Sequence, residues 1–203
     1  MAQDSSLSSF WDSRYQQQVT PWESGQLPAG FAELVQPLLP RVHSVLLPGC
    51  GSGYEVSYLQ RQGLQVAAID FSAEAVALAR QQLGPLAPLV RQADFFSDEV
   101  DGSWDWVYER AFLCALPPPR WPAYAEKMAR LVKPSGYLAG YFFLRPTLKG
   151  PPFGVALAQL QALFQPWFSL CQQIPVNGSL PVFAPDEYWL CWQRSDAYLT
   201  TVI

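Results

Sequence analysis

The chain has 203 residues, of which half are hydrophobic and 15% are charged, a composition typical of a folded globular domain. Its formal net charge is −4 and its 13 lysines and arginines are scattered, which argues against a surface that follows nucleic-acid phosphates. The longest apolar run, residues 137–144, is far shorter than the roughly 18 residues of a membrane helix. The N-terminus lacks a secretory pattern, so we expect a cytoplasmic monomer without nucleic-acid or membrane partners.

The cysteine and histidine content argues against a metal site. The four cysteines are widely spaced and form no ligand pattern with the single histidine, His43. In a reducing compartment they are predicted to be free thiols in apolar segments, acting as small buried hydrophobes. These cysteines are Cys50, Cys114, Cys171 and Cys191.

Hydrophobic periodicity predicts an N-terminal helical segment followed by alternating strands and helices. Helices are predicted around residues 8–18, 28–39, 54–63, 73–83, 120–132 and 155–164. Strands are predicted over residues 44–48, 65–71, 89–94, 104–108, 137–144, 168–175 and 187–193. Strand–helix alternation at this spacing indicates a parallel sheet with helices on both faces.

The last two strands are joined by a connection without helical periodicity, which indicates an antiparallel hairpin at the edge of the sheet. We therefore predict one α/β domain over residues 1–203. It is Rossmann-like and doubly wound, with a mostly parallel seven-stranded sheet and an antiparallel C-terminal edge strand. Residues 1–40 form an N-terminal helical cap, and residues 41–203 form the core.

A glycine-rich loop, with Gly49, Gly51 and Gly53, separates the first strand from the next helix. Glycines at this position permit a tight turn and close approach of a ligand to the main chain, and the helix N-terminus favours a negative group. The dinucleotide pattern G-x-G-x-x-G is not matched, because the third glycine comes one residue early. Binding of a pyrophosphate is therefore poorly supported.

Asp70 ends the second strand, 19 residues after Gly51. A carboxylate there accepts hydrogen bonds from ribose hydroxyls. The two features together predict a nucleoside without a pyrophosphate, and S-adenosylmethionine meets that description. If each feature is considered alone, the alternative for the glycines is a structural turn, and the alternative for Asp70 is an acid that caps the next helix.

Two more strand ends point to the same crevice. Asp94 and Phe95 end the third strand, where they would meet the edge and the face of an adenine, although a polar strand end with a core phenylalanine is equally supported. Arg110, after Glu109, ends the fourth strand and would bind a carboxylate of the cofactor or an anionic substrate. A surface salt bridge is the alternative for Arg110.

These motifs resemble the class I S-adenosylmethionine-dependent methyltransferases, and within them the thiopurine S-methyltransferase family with its thiol and halide methyltransferase branch. The resemblance covers nearly the whole chain and is most specific at T-P-W-x-x-G, residues 20–25, and at L-x-P-G-C-G-x-G, residues 46–53. It implies that the N-terminal segment closes over the cofactor as a lid. The predicted cofactor-binding residues are Trp11, Tyr15, Trp22, Gly49, Gly51, Asp70, Phe71, Asp94, Phe95 and Arg110.

The resemblance is mixed between the two branches. Arg110 resembles the thiopurine branch, whereas Asp70 and residues 112–115 and 150–153 resemble the thiol and halide branch. Tyr15 stands where the thiol and halide enzymes have tryptophan. The resemblance therefore leaves the acceptor open.

The acceptor is predicted from the absence of a suitable base. Transfer from a sulfonium needs no protein nucleophile, but a hydroxyl or amine acceptor usually needs a general base. His43 precedes the first strand, at the amino edge and away from the crevice. We therefore expect a soft acceptor that ionises readily, a thiolate first, with thiopurine, hydrosulfide, halide and selenium or tellurium species open. The candidate substrate-pocket residues, each of the aromatics equally explained as core, are Phe31, Arg110, Phe112, Tyr141, Phe142 and Phe153.

Two other function classes remain open at this point. One is an NAD(P)-linked oxidoreductase built on a similar sheet. The other is a non-catalytic protein that binds S-adenosylmethionine as a sensor or scaffold. The product expected from the favoured function is S-adenosylhomocysteine.

Overall fold

The computed structural model describes residues 4–196. The helices are α1 Ser8–Gln16, α2 Phe31–Val35, α3 Tyr54–Arg61, α4 Ala73–Leu83, α5 Trp121–Leu131 and α6 Leu157–Phe164. The strands are β1 Ser44–Pro48, β2 Gln65–Asp70, β3 Val90–Gln92, β4 Trp104–Arg110, β5 Val132–Phe143, β6 Phe168–Pro175 and β7 Glu187–Arg194.

The strands form one seven-stranded sheet in the order β3-β2-β1-β4-β5-β7-β6. The pairs among β1 to β5 are parallel, and β7 runs antiparallel to both β5 and β6. The predicted fold class is therefore confirmed. The antiparallel C-terminal strand β7 inserts between β5 and β6, so the hairpin of β6 and β7 forms that edge of the sheet.

Helices cover both faces of the sheet, and on each face a separate hydrophobic core lies between the helices and the sheet. On one face α5 and α6 contribute residues such as Met128 and Phe164, which are fully buried. On the other face α2, α3 and α4 contribute Val35, Leu59 and Ala79, also fully buried. This three-layer arrangement is that of a doubly wound α/β domain.

Two predicted elements differ from the structure. The helix predicted over residues 28–39 is only α2, because Gly30 takes a left-handed conformation at φ 69° before it and Pro37 lacks the N–H that would continue it. Strand β5 starts at Val132, directly after α5, rather than at Tyr137. The intervening residues form an irregularity in the pairing of β4 with β5, with Ser135 at φ 60°.

The point where the strand order reverses lies between β1 and β4. The chain continues from β1 towards β2 and β3, whereas β4 continues towards β5 on the other side. The carboxyl ends of β1 and β4 therefore open a crevice between the loops that follow them, which is where open α/β sheets bind ligands. His43 precedes β1 at the opposite edge, is exposed and donates its backbone N–H to Asp105.

The cysteines are free thiols, but the expectation that all are buried is wrong. Cys114 and Cys191 are buried, whereas Cys50 is half-buried and Cys171 is exposed. Cys171 lies on the edge strand β6, in which alternate residues face the solvent. Residue type alone does not decide burial on such a strand.

Residues 4–196 contain no group of three or more metal-ligating side chains and no helix of the length and apolarity that a bilayer crossing needs. The cellular compartment, the oligomeric state and the organisation of residues 1–203 as one domain stay predictions.

Candidate cofactor and active site

A cavity of about 230 Å³ lies at the carboxyl edge of the sheet. Its walls come from the N-terminal segment, the glycine-rich loop, the ends of β2 and β4, the turn after β4 and two later loops. The later loops contribute Pro151 and Pro152, and Val182 and Phe183. The N-terminal segment, residues 5–23, therefore covers the crevice as a lid.

The glycine-rich loop brings main chain directly to the cavity wall. Gly49 and Gly51 have φ angles of +62° and +52°, a region that side chains disfavour. A Cβ at Gly49 would lie 2.5 Å from Cδ2 of Phe112, and one at Gly51 would lie 2.7 Å from Oε1 of Glu23. Both positions therefore favour glycine for conformation, and a side chain at either one has to displace a neighbouring side chain.

Asp70 lies beside this loop at the tip of β2. Its Oδ2 accepts the N–H of Gly51 at 3.0 Å, and its Oδ1 accepts the N–H of Ser72 at 2.9 Å. Burial raises the pKa of Asp70 to about 6, against these backbone hydrogen bonds, which lower it. Each carboxylate oxygen accepts more than one hydrogen bond, so Asp70 retains accepting capacity for a ligand in the cavity that it lines.

Three lid aromatics form a continuous wall over the cavity. The rings of Trp11 and Trp22 meet edge to face at 5.3 Å between centroids, and those of Tyr15 and Trp22 at 6.1 Å. The indole N–H of Trp11 is held by the carbonyl of Ser5 at 2.8 Å. Such π faces attract a cation, which is the charge of a sulfonium.

Two carboxylates attach the lid to the core. Asp12 on α1 accepts the hydroxyl of Ser72 at 2.6 Å and the N–H of Glu74 at 3.3 Å, so it caps α4 together with Ser72. Glu23 accepts the hydroxyl of Tyr15 at 2.7 Å and the N–H of Ser52 at 3.1 Å, and its Oε2 accepts the Ser52 hydroxyl. The closed position of the lid therefore depends on hydrogen bonds to the glycine-rich loop and to the start of α4.

Replacement of Glu23 by alanine is expected to loosen the lid. The substitution removes the charged acceptor of Tyr15 and Ser52, and such hydrogen bonds contribute about 1.5–3 kcal/mol each. We expect faster proteolysis within residues 5–25 of the unliganded protein and S-adenosylhomocysteine affinity about tenfold lower, since each factor of ten is about 1.4 kcal/mol. Limited proteolysis and titration calorimetry measure the two effects. The matched control is Glu33→Ala on the exposed side of α2, and equal proteolysis of both variants would contradict the role of Glu23.

Arg110 belongs to a buried polar network at one side of the cavity. Its Nε lies 3.9 Å from Oε1 of Glu55, which also accepts the hydroxyl of Tyr108 at 3.1 Å. Its guanidinium carbon lies 5.4 Å from the centre of the Tyr141 ring. Burial raises the pKa of Glu55, and Arg110 opposes that rise. Arg110 therefore lines the cavity with a buried ionic partner rather than forming the surface salt bridge that was the alternative, and its binding of a carboxylate of the cofactor or substrate stays a prediction.

Glu109 is buried just behind the cavity wall. Its Oε1 accepts the N–H groups of Phe112 and Leu113, each at 2.9 Å, and its Oε2 accepts the hydroxyl of Tyr124. These bonds hold the turn after β4, in which Ala111 takes a φ of 55°. Burial raises the pKa of Glu109 to about 7. This carboxyl therefore shapes the turn that carries Phe112 into the cavity wall.

The raised pKa of Glu109 predicts a pH-dependent stability. Between about pH 4.5 and 7 the folded protein keeps a proton that the unfolded chain loses, so the free energy of unfolding falls as the pH rises. The fall amounts to about 3 kcal/mol at 1.36 kcal/mol per pKa unit. The unfolding free energy of Glu109→Gln relative to the wild type should increase by this amount from pH 4.5 to pH 8 in urea titrations. The control Glu126→Gln, on the exposed face of α5, should show no such trend, and a flat difference for Glu109→Gln would contradict the prediction.

The structure brings all ten predicted cofactor-binding residues together around the cavity. The glycines, the acids, the lid aromatics and Arg110 lie as described above, and Phe71 follows Asp70 in the wall. Asp94 is exposed, with its Oδ1 accepting the N–H of Phe96 at 2.9 Å, and Phe95 is buried with its ring 5.1 Å from that of Phe112. Their roles as ligands of a cofactor stay predictions.

Of the predicted substrate-pocket residues, only Arg110 and Phe112 line the cavity. Phe31 is buried in the core against Tyr58 and Tyr108, because α2 turns it towards the sheet. The other three line a separate small void behind the cavity: Tyr141, Phe142 and Phe153. The Tyr141 hydroxyl donates to the carbonyl of Ala29 at 2.9 Å, so its polar end points away from the site. Phe31, Tyr141 and Phe142 are therefore core residues, as the alternative interpretation has it, and Phe153 is half-buried against the core.

Several lining residues were missed. Glu23 stands inside the T-P-W-x-x-G motif, but that motif gave no sign that its carboxylate reaches the glycine-rich loop. Glu55 and Cys114 also line the cavity. Ser5 was missed as well, and no sequence signal would have found it. Its hydroxyl is buried in the cavity wall and makes no hydrogen bond within the protein.

These residues fit S-adenosylmethionine. The cavity offers a carboxylate with accepting capacity at a strand tip, main-chain glycine surface, aromatic faces for a sulfonium, a guanidinium and an unpaired hydroxyl at Ser5. The carboxylate suits the ribose, the glycine main chain and the guanidinium suit the aminoacyl part, the aromatic faces suit the charged sulfur, and the hydroxyl is one more polar group without a partner in the protein. An unpaired buried hydroxyl is costly unless a ligand satisfies it.

Comparison with known proteins agrees with this site. The family model for thiopurine S-methyltransferase matches residues 7–177. A probable thiol methyltransferase 2 of Arabidopsis thaliana is 30% identical in an alignment of 163 residues, and the match covers 77% of this chain and 71% of that protein. A thiopurine S-methyltransferase of Vibrio cholerae is 31% identical in an alignment of 183 residues, and the match covers 76% of this chain and 79% of that protein.

Among solved structures, a 1,6-didemethyltoxoflavin N1-methyltransferase of Burkholderia thailandensis has the same fold at a TM-score of 0.67 and 18% identity. The match covers 94% of this chain and 88% of that one, whose crystal contains S-adenosylhomocysteine. The family match spans the lid, the glycine-rich loop and all strand ends around the cavity. This chain therefore belongs to the thiopurine S-methyltransferase family and is an S-adenosylmethionine-dependent methyltransferase.

Proposed function

We propose that this enzyme transfers the methyl group of S-adenosylmethionine to the sulfur of a small thiol or thiolate. The observation that carries this proposal is a cavity with an apolar end and no imidazole in its wall. Bound S-adenosylmethionine supplies a methyl group on a positive sulfur for in-line displacement. The names of the relatives, which include thiol and thiopurine methyltransferases, agree with a sulfur acceptor.

The cofactor would be held by the polar half of the cavity. Asp70 would accept the ribose hydroxyls, and the main chain at Gly49 and Gly51 would take the aminoacyl part. Asp94 and Phe95 would contact the adenine. The lid aromatics would cover the sulfonium and exclude water. The contribution of these residues to the rate is mainly positioning, which is worth up to about 7–11 kcal/mol in well-oriented systems.

The acceptor would enter the apolar half. Trp22, Ala111 and Val182 pack there on a small hydrophobic cluster of buried side chains, which consists of Cys114, Phe143 and Phe183. Such walls remove water from an anionic nucleophile. The free-energy cost of this desolvation is lower for a polarisable sulfur anion than for a hard oxygen anion. Arg110, at the border of the two halves, would favour an acceptor that carries negative charge.

The acidic side chains that line the cavity already accept hydrogen bonds within the protein. The carboxylate of Glu55 accepts from Tyr108, that of Glu23 from Ser52, and that of Asp70 from two backbone N–H groups. Asp94, the fourth acid in the wall, accepts the N–H of Phe96, and the remaining accepting capacity of Asp70 would go to the ribose. We therefore assign none of these acids as the base that a hydroxyl acceptor needs. A thiol with a pKa near 8.5 is partly ionised at neutral pH without such help. The electrostatics of the cavity therefore favour a soft acceptor.

The experiment compares thiophenol, phenol and aniline, which share one ring and differ only in the acceptor atom. Methylated products are quantified by mass spectrometry with S-adenosylmethionine in excess. We expect turnover of thiophenol to exceed that of the other two by at least about 100-fold, which corresponds to about 3 kcal/mol. Hydrosulfide, thiocyanate, iodide, a thiopurine, selenite and tellurite are then ranked in the same assay. Preferred methylation of phenol or aniline would overturn the sulfur assignment.

The sequence left open a non-catalytic sensor or scaffold and an NAD(P)-linked oxidoreductase. The family match and the poor match to the dinucleotide pattern oppose the oxidoreductase. Calorimetry with NAD⁺ and NADP⁺ beside S-adenosylmethionine provides the direct comparison. Tight S-adenosylmethionine binding without turnover of any acceptor in the panel would favour the sensor instead.

A further inference from the structure

Two cysteines lie next to each other on the edge hairpin, outside the cavity. Leu170 pairs with Trp192 and Gln172 pairs with Cys191, so Cys171 is the extra residue of a bulge beside Cys191. The thiol of Cys171 donates to the carbonyl oxygen of Cys191 at 3.0 Å. Adjacent strands lie about 4.8 Å apart, within the span of about 4.4–6.8 Å between Cα atoms that a disulfide bridges.

The two thiols differ in exposure. Cys171 is exposed on the edge strand β6, whereas the Cys191 residue is 3% exposed and packs in the core that α2, α3 and α4 cover. An oxidant from solution therefore meets Cys171 first. Cys191 is shielded from solvent but remains in contact with Cys171. This is the arrangement of an attacking thiol with a resolving partner.

The electrostatic surroundings distinguish Cys171 from the two cavity cysteines. A hydrogen bond from the Cys191 thiol and, more weakly, the charge of Arg41 lower the pKa of Cys171 to about 7. Burial raises the pKa of Cys50 and that of Cys114. Thiolate is the reactive form, so these surroundings favour oxidation at Cys171 over oxidation at the cavity cysteines.

We propose that Cys171 and Cys191 are a redox-active dithiol that a hydroperoxide converts into a disulfide between β6 and β7. The Cys171 thiolate attacks one oxygen of hydrogen peroxide; an S–O bond forms, the O–O bond breaks, and the departing hydroxide becomes water by taking from the solvent the proton that the Cys171 thiol had released. Cys171 is oxidised to a sulfenic acid in this step and the peroxide is reduced. The Cys191 sulfur then attacks the sulfur of Cys171, the S–O bond breaks, and the leaving hydroxide takes the proton of Cys191 to give a second water.

The test exposes the intact protein to equimolar hydrogen peroxide at pH 7.5. Free thiols are then labelled, the protein is reduced, and newly freed thiols receive a second label before peptide mapping by mass spectrometry. We expect the second label at Cys171 and Cys191 only, with a mass loss of about 2 Da before reduction. A second label at the cavity cysteines, or none after complete consumption of the peroxide, would overturn the proposal.

Three variants separate the chemical roles. Cys171→Ser should abolish the disulfide, and Cys191→Ser, which keeps a hydrogen-bond donor beside Cys171, should leave Cys171 as a sulfenic acid that dimedone traps. Cys50→Ser serves as the matched control and should form the disulfide as the wild type does. A disulfide in Cys171→Ser, or no dimedone adduct at Cys171 in Cys191→Ser, would contradict the assignment. Peptide mapping of the wild type gives the decisive result even where a variant does not fold.

Discussion

Asp70→Ala is expected to abolish detectable binding of S-adenosylmethionine. The carboxylate accepts the N–H groups of Gly51 and Ser72, and so joins the glycine-rich loop to the start of α4, while it lines the cavity. With the ribose placed as proposed, the variant loses two hydrogen bonds from the ribose hydroxyls to a charged acceptor, which at about 1.5–3 kcal/mol each correspond to at least about a 100-fold loss of affinity. Titration calorimetry with S-adenosylhomocysteine measures this loss.

The effect on binding has to be separated from an effect on folding. Asp70→Ala leaves two backbone N–H groups without their acceptor, so the thermal midpoint of the unliganded variant should be measured and should show a single cooperative transition. Asp98→Ala, in the exposed loop after β3, is the matched control and should bind as the wild type does. Undiminished affinity in a folded Asp70→Ala protein would show that the ligand does not use this strand tip.

Gly49→Ala is expected to have the second largest effect, by filling the cavity wall. The new methyl group would lie 2.5 Å from Cδ2 and 3.0 Å from Cγ of Phe112, so the ring has to move into the space in front of it. The left-handed conformation at φ +62° adds about 1–2 kcal/mol of strain. We expect methyl transfer to fall by about 100-fold or more, because a displacement of about 1 Å at a positioned site costs that much. Initial rates with a reactive thiol measure the fall.

Gly63→Ala provides the control for backbone strain. Gly63 also has a left-handed conformation, at φ +84°, but a Cβ there meets no atom within 4 Å. The two variants therefore share the conformational cost and differ in the steric one. Gly63→Ala should lower the thermal midpoint and leave methyl transfer unchanged. Equal losses of activity in both variants would show that strain, rather than the contact with Phe112, is responsible.

The sequence predicted most of the fold because the pattern of apolar residues reports burial directly. Strands such as β1 are buried on both faces and read as continuous apolar runs, so their positions were predicted within one or two residues. Errors arose where backbone conformation overrides periodicity. Pro37 shortens α2, and the apolar pattern predicts a loop where the irregular segment before Tyr137 forms the first part of β5.

The position of the cavity at the edge of the sheet was predictable for a related reason. Parallel strands end at one edge of the sheet, so residues that follow β1, β2, β3 and β4 meet there whatever the details of packing. Gly49, Asp70, Asp94 and Arg110 were found by this rule, and all four line the cavity. Aromatic residues obey no such rule. Phe112 reached the cavity and Tyr141 did not, because the side to which a strand or turn residue points depends on register.

The amino-acid sequence by itself therefore determined the α/β class, the strand ends that form the crevice and the family to which the chain is similar. These properties follow from local periodicity and from motifs that lie within a few residues of each other. Only the tertiary structure decided that Glu23 reaches Ser52, that Ser5 lines the cavity unpaired, and that Cys171 lies beside Cys191. Each of these contacts joins side chains distant in sequence or displaced by a bulge, and their distances are set by packing and strand register, which hydrophobic periodicity does not encode.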